Sequence, residues 1–423
     1  MTSNNKSIYK AFKFRLYPTK EQEVFFERSV GCARFVYNKL LEASIAEYQS
    51  SGKFILGFSL TNKLVELKKE FHWLKEVNSQ SLQQASINLA TAFKNRFSKK
   101  RKKQTGFPKF KKRGNQDSFM IPQHFILKKN QIKLPKIGWV SAVTHRKLEG
   151  KVKSITISKD VDVWFVSILC ELPEKVTYYD PNNAVGIDLG IKTFAVTSDG
   201  ECIGAPDLEK EHKKLKKLQR QHAKKEKGGK NREKARKKVA RQHRKIRRIN
   251  KNFVETTSSL ITKDYDVVSV ETLNIQGMKA NHKLAPSIQK LSWGAFVSAL
   301  ERKVPVVHKV SRWYPSSKTC SCCGWIKKDL TLGDRIFHCG SCGFELDRDT
   351  NAAMNLLNEW KRTAATAGIA CGEDVRPKSS NGTERQTSMK QEWGSLEPKR
   401  SMLQHDPLLT TLFSSFSHIH TKN

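Results

Sequence analysis

Apolar and basic residues largely alternate along Tyr9-Lys10-Ala11-Phe12-Lys13-Phe14-Arg15-Leu16, which predicts a half-buried strand that ends at Pro18. Thr19 followed three residues later by Gln22 is a capping-box pattern, and residues 24–41 then place apolar side chains at helical spacing. Helical pattern continues through residues 60–97. Over residues 118–172 the period returns to two, clearest at Ile155 and Ile157 and in Val163-Trp164-Phe165-Val166-Ser167-Ile168-Leu169, with turn signals at Asn130 and Glu149-Gly150. These segments predict a small β-barrel or sheet that the N-terminal strand joins, with the helices inserted in it.

Tyr178-Tyr179-Asp180-Pro181-Asn182-Asn183 reads as a linker, and a second region opens on the apolar run Ala184-Val185-Gly186-Ile187-Asp188-Leu189. Leu215 and Leu218 precede Gly228-Gly229-Lys230-Asn231; after it Ala235, Val239, Gln242, Ile246, Phe253, Thr257 and Leu260 recur at roughly helical spacing. This spacing predicts a basic helical hairpin, with one edge packed and the others covered by Lys and Arg. A last helical pattern ends near Asn358-Glu359-Trp360, beyond which small, polar and Pro residues without clear periodicity predict disorder.

Charge changes this picture most. With 78 Lys+Arg against 40 Asp+Glu the 423-residue chain carries a net +38, which implies a polyanionic partner, nucleic acid foremost. A membrane surface is disfavoured, since no apolar run approaches about 18 residues. Residues 99–103, 109–113 and 213–248 are candidate phosphate contacts; the first two flank Gly106-Phe107-Pro108 and read as a connector. The start, Met1-Thr2-Ser3-Asn4-Asn5-Lys6, lacks the apolar core of a secretory signal, and five of the nine cysteines crowd into residues 320–342, which together predict a reducing cytoplasmic location. Cys32, Cys170, Cys202 and Cys371 read as small core or loop residues.

Cys320 and Cys323, then Cys339 and Cys342, form two C-x2-C pairs fifteen residues apart, the spacing at which two tight turns offer four thiolates to one tetrahedral Zn²⁺. Gly324 and Gly343 follow each pair and permit the turns. Cys322 and His338 fall outside the spacing. With cysteine in all four positions no open coordination site is left, so the zinc is read as structural; redox CxxC chemistry would not explain two pairs.

Three carboxylates stand out against apolar surroundings. Asp188 interrupts a strand pattern between Gly186 and Gly190, Glu271 ends Asp266-Val267-Val268-Ser269-Val270, and Asp349 precedes Ala352, Ala353, Leu356, Leu357 and Trp360, which start a helix. Singly, Asp188 could be a turn residue, Glu271 a strand-end ion pair and Asp349 an N-cap, a position Thr350 could also fill. Jointly, a strand Asp, a strand Glu and a helix-start Asp in a basic α/β region is how an RNase H-like fold gathers ligands for two Mg²⁺ about 3.5–4 Å apart, one activating water and one stabilising the leaving oxygen.

Val185-Gly186-Ile187-Asp188-Leu189-Gly190-Ile191-Lys192, Val270-Glu271, Pro315-Ser316-Ser317-Lys318-Thr319-Cys320 and Asp347-Arg348-Asp349-Thr350-Asn351-Ala352-Ala353 resemble the TnpB family of transposon-associated, RNA-guided nucleases, similar to type V CRISPR effectors. The resemblance extends to Gly106-Phe107-Pro108-Lys109-Phe110, residues 368–377 and Lys390-Gln391-Glu392. It implies an α+β multidomain chain: a wedge-like β-barrel (1–18 and 105–178) with an inserted helical bundle (19–104), a RuvC or RNase H-like α/β domain (184–319 and 343–362), an inserted zinc ribbon (320–342) and a tail (363–423). It further implies that Asp188, Glu271 and Asp349 form the catalytic triad holding two Mg²⁺, that Cys320, Cys323, Cys339 and Cys342 hold one Zn²⁺, and that Asp347 has a supporting role. The implied partners are a guide RNA, double-stranded target DNA and a companion transposase, with no membrane, in the cytoplasm at the nucleoid; the N-terminal lobe would hold the guide and read a short target-adjacent motif.

One departure is that residues 300–307 look shorter than the usual helix-to-strand passage. The alternatives are a guide-dependent DNA-binding repressor that no longer cuts, and a transposase performing strand transfer. Actin-like phosphotransferases share the Gly-Ile-Asp-Leu-Gly strand but need further glycine loops, which are missing.

Overall fold

The alternating N-terminal segment forms β1 (Ile8–Tyr17), the middle strand of a seven-stranded antiparallel sheet. The computed structural model describes residues 8–98, 106–114, 117–173, 178–282, 285–331 and 333–367. The basic residues 99–103, Cys371, and the matches at 368–377 and 390–392 lie outside them.

After β1 come α1 (Lys20–Ser51), α2 (Phe58–Glu70), a 3₁₀ turn (His72–Glu76) and α3 (Ser79–Phe97). Thr19 and Gln22 form the expected capping box, and Gly52 in the left-handed region ends α1. The remaining strands are β2 (Ser118–Ile121), β3 (Ile126–Lys128), β4 (Gln131–Leu134), β5 (Gly138–Val143), β6 (Lys151–Asp160) and β7 (Val163–Leu172), in the order β2-β6-β7-β1-β5-β4-β3. The two edges, β2 and β3, do not pair with each other, so where a β-barrel or sheet was expected the strands form a sheet curled into a half-barrel. Helices supply what closure would have supplied: Phe26 of α1 meets Phe119 and Trp164 at 5.8 and 5.0 Å, and one apolar cluster unites sheet and helices.

The second half builds a five-stranded sheet in the order β10-β9-β8-β11-β12. Its elements are β8 (Ala184–Asp188), β9 (Ala195–Thr197), β10 (Cys202–Ile203), α4 (Glu209–Ala223), α5 (Lys230–Asp264), β11 (Val267–Glu271), α6 (Ile275–Met278), α7 (Ala285–Leu291), α8 (Trp293–Lys303) and β12 (Val306–Val310). The chain then forms the β13 (Ile336–His338) and β14 (Glu345–Asp347) hairpin and α9 (Arg348–Thr366). β8, β11 and β12 run parallel, and β12 pairs with β11 along all five residues, so residues 300–307 do not truncate the strand. The expected linker is anchored: Trp360 Nε1 donates to Pro181 O at 3.0 Å, and Val267 N to Asn183 O at 3.1 Å.

Period two sorts the sheet's faces. Val185, Ile187, Val268 and Val270 pack with Val254 and Ile261 of α5 and Phe296 and Leu300 of α8. The alternate positions face α9: a Cβ on Gly186 would lie 1.9 Å from Ala353 O, and Ser269 Oγ donates to Leu356 O at 2.6 Å. Only glycine lets α9 come this close. α9 continues to Thr366, past its expected end near Trp360 and into the tail expected from residue 363, because Ala364 is buried against Val267 and Trp360.

Candidate active site and cysteine cluster

Asp188 is two residues beyond Gly186 and Glu271 two beyond Ser269, so strand alternation aims both carboxylates toward α9. β8 and β11 pair up to Ile187↔Val270, and Asp188 and Glu271 are the next positions in that register. Asp349 sits in the first turn of α9, whose dipole favours a negative charge there. All three are partly buried. Burial, then the charges of Asp349 and Glu271, push the Asp188 carboxyl up to about 7, with Arg348 opposing; burial alone raises Glu271. Arg348 Nη2 contacts Asp349 Oδ1 at 3.2 Å. Such repulsion between oxygen donors is relieved by a hard divalent cation.

Asp347, not Asp349 or Thr350, is the N-cap of α9: its Oδ1 accepts from the backbone N–H of both Asp349 and Thr350 at 3.0 Å.

The four cysteines converge, with all sulfurs within 4.8 Å of one another; Cys320 and Cys342 are 3.7 Å apart, and Cys323 and Cys339 are 3.6 Å apart. Tetrahedral Zn–S bonds of about 2.3 Å place sulfurs roughly 3.8 Å apart, which this set fits. The two turns match: Gly324 N donates to Cys320 O and Gly343 N to Cys339 O, at φ 78° and 71°. Against burial, the N–H groups of Cys342 and Ser341 facing its sulfur bring the Cys339 thiol down to about 6. Cys322 lies outside the cluster, and His338 faces Glu345 on the surface. Among the described residues these four cysteines are the one group of three or more His, Cys, Asp or Glu side chains gathered closely enough to share an ion.

The family described as "Probable transposase" matches residues 167–282, a "Helix-turn-helix domain" residues 6–53 and a "Cas12f1-like, TNB domain" residues 293–356. A Streptomyces pristinaespiralis protein named "Putative RNA-guided DNA endonuclease" is 35% identical over 407 residues, covering 92% of this chain and 97% of its own. The chain belongs to the TnpB family. Another member, from Escherichia coli K12 and named "Putative RNA-guided DNA endonuclease InsQ", is 32% identical over 88% of this chain and 97% of its own. The solved Cas12f1-sgRNA-target DNA complex overlaps at TM-score 0.43 and 17% identity, over 83% of this chain and 98% of that one.

In this TnpB-family chain a row of asparagines, not singled out in the sequence, links cysteines and carboxylates. Asn351 Nδ2 donates to Thr319 O at 2.8 Å while its Oδ1 accepts from Ser321 N at 3.0 Å. Asn355 Nδ2 donates to Ser316 O and Thr319 O, and Asn358 Nδ2 to Ser321 O at 3.1 Å. Positions 351, 355 and 358 share one face of α9, and this recurrence of asparagine at helical spacing was the available signal.

The basic run 213–248 divides. Lys213, Lys216, Lys217, Arg220 and Lys224 line a shallow groove along one exposed face of α4. Arg241, Arg244 and Arg247 instead bind Asp162 and Asp160 at the β6–β7 turn, at 2.9, 2.6 and 2.9 Å. Gln242 and Ile246 are buried as expected, but Leu260 is exposed and Ile261 takes the packed position. Cys32 and Cys170 are buried, and Cys202 is exposed. No helix among the described residues is long and apolar enough to cross a membrane.

Proposed function

We propose that the protein is an RNA-guided, Mg²⁺-dependent DNA endonuclease of a transposable element, with Asp188, Glu271 and Asp349 as its catalytic carboxylates. The observation that carries this reading is the placement of three partly buried acids on the α9 side of the parallel strands' C-terminal ends, with Asp188 raised to about 7. Open α/β sheets bind ligands at that edge. The names of the relatives point the same way.

Asp188, Glu271 and Asp349 would hold two Mg²⁺, which when bound lower the pKa of attacking water and stabilise charge on the phosphate and leaving oxygen. Asp347 keeps the first turn of α9 formed, and Arg348 offsets part of the site's negative charge. Cys320, Cys323, Cys339 and Cys342 would hold one structural Zn²⁺. In this reading the five-stranded sheet is the RuvC, RNase H-like domain with an inserted zinc ribbon, and the half-barrel with its helices is the lobe that holds guide RNA.

The test is incubation of the guide-loaded protein with Mg²⁺ and a plasmid carrying a matched target. Linear product is expected. Asp188→Ala is expected to abolish it while RNA and DNA binding persist, and undiminished cutting by that variant overturns the assignment. Binding without product from the unaltered protein would point to a repressor, and joined products dependent on transposon ends to a transposase.

A further inference from the structure

β12 ends at Val310, which is paired with Glu271 and accepts a hydrogen bond from Thr272 N at 3.0 Å. The chain leaving β12 therefore emerges at the same sheet edge as Asp188 and Glu271. Adjacent strands lie about 5 Å apart, which puts β12 one spacing from Glu271 and about 10 Å from Asp188. The next three residues reach at most roughly 10 Å further.

Those residues are Ser311, Arg312 and Trp313. Trp313 is 79% exposed, an unusual position for so large an apolar ring. The turn that carries it is fixed: Trp313 N donates to Ser311 Oγ at 3.3 Å, Tyr314 N to Ser311 O at 3.0 Å, and Tyr314 Oη to Asn355 O of α9 at 3.5 Å. The Arg312 guanidinium lies 4.6 Å from the centre of the indole, supporting the ring and adding positive charge.

We propose that Trp313, backed by Arg312, is a stacking platform for one unpaired nucleobase of the DNA strand presented to Asp188, Glu271 and Asp349. The proposal rests on the nuclease reading for the strand's identity. A rigid, exposed aromatic face beside a cation is what single-stranded nucleic acid uses, and stacking tolerates any base because every base has a π-face. An enzyme directed by a guide must cut whatever sequence the guide selects, so it needs such a sequence-blind grip near the reacting phosphate. Duplex DNA keeps its bases stacked on each other, which restricts this contact to an opened strand.

The experiment uses guide-loaded protein and single-stranded target oligonucleotides in which one abasic site is moved stepwise across the nucleotides flanking the cut. Dissociation constants are measured in Ca²⁺ and cleavage rates in Mg²⁺. For the unaltered protein, an abasic site at one or two positions is expected to weaken binding about tenfold, with a matching rise in KM and little change in kcat. Trp313→Ala is expected to bind intact DNA about tenfold more weakly and to lose its sensitivity at those positions, while Trp313→Phe retains most of both. Guide affinity and melting temperature should be unchanged because the ring is on the surface.

Equal affinity of Trp313→Ala and the unaltered protein for intact DNA overturns the platform, as does undiminished abasic sensitivity in Trp313→Ala. If the unaltered protein binds with the expected abasic pattern but never cuts, the nuclease reading fails and the platform stands.

Discussion

Asp188 ends a strand whose preceding side chains pack into the core, and without a cation its carboxyl is pushed up to about 7 by burial, then by Asp349 and Glu271. In the proposed site a proton and Mg²⁺ would therefore compete for the same oxygens. Above pH 7 the carboxylate is free to bind the ion; below it, each pH unit leaves about tenfold less of the ionised form. The Mg²⁺ concentration for half-maximal cleavage should be roughly tenfold higher at pH 6 than at pH 8, and a value flat across this range would show that Asp188 does not take up a proton in competition with the ion. The candidate residues were visible as charges in apolar strands. The division of work within Asp347-Arg348-Asp349 was less so, because either acid satisfies the spacing of an N-cap. Backbone geometry gives the cap to Asp347.

At the scale of elements, α9 joins three features: Asp349 in its first turn, Gly186 of β8 beneath it, and the backbone leading into the cysteines beside it. Asn355 is buried and its Nδ2 donates to two backbone carbonyls, Ser316 O and Thr319 O, whereas Asn358 donates to Ser321 O from an exposed position. Removing a buried donor leaves its acceptors unsatisfied, at about 1–3 kcal/mol, while water replaces an exposed one. Asn355→Ala should lower unfolding stability by about 2 kcal/mol and Asn358→Ala by less than about 1 kcal/mol; equal losses in urea melts would mean that the row does not hold the segment. Elements with strong periodicity were legible in the chain: β1, α1 with its capping box, and the cysteine turns with Gly324 and Gly343. What was not legible depended on partners distant in sequence. The sheet's apolar face is covered by α1 and α3 and not by barrel closure, and α9 runs past Trp360 because Ala364 meets Val267, a contact that weak Ala/Thr periodicity does not announce.

Across the whole molecule the net charge of +38 has two uses that composition cannot separate. Arg241, Arg244 and Arg247 hold the β6–β7 turn through Asp160 and Asp162, tying the helical hairpin to the first sheet; the side chain of Arg244 is only 17% exposed. Burial raises the Asp162 carboxyl, but hydrogen bonds from Arg244 and Arg241 outweigh it and hold it below its ordinary value, so this stabilisation persists at neutral pH and is lost as the carboxylate protonates in acid. Lys216, Lys217 and Arg220 on α4, and Lys224 just after it, face solvent. Cations that meet phosphates release counterions, at about 0.7–0.9 in the slope of log affinity against log salt for each phosphate neutralised. Changing Lys216, Lys217 and Arg220 together to Gln should therefore flatten the salt dependence of nucleic-acid binding by about 2–3 and leave stability unchanged. Arg244→Gln should cost about 1 kcal/mol of stability and leave the slope as it was. Guide RNA and target DNA titrated separately from about 50 to 300 mM salt would identify which strand lies on α4, and an unchanged slope for both would mean that this face binds neither.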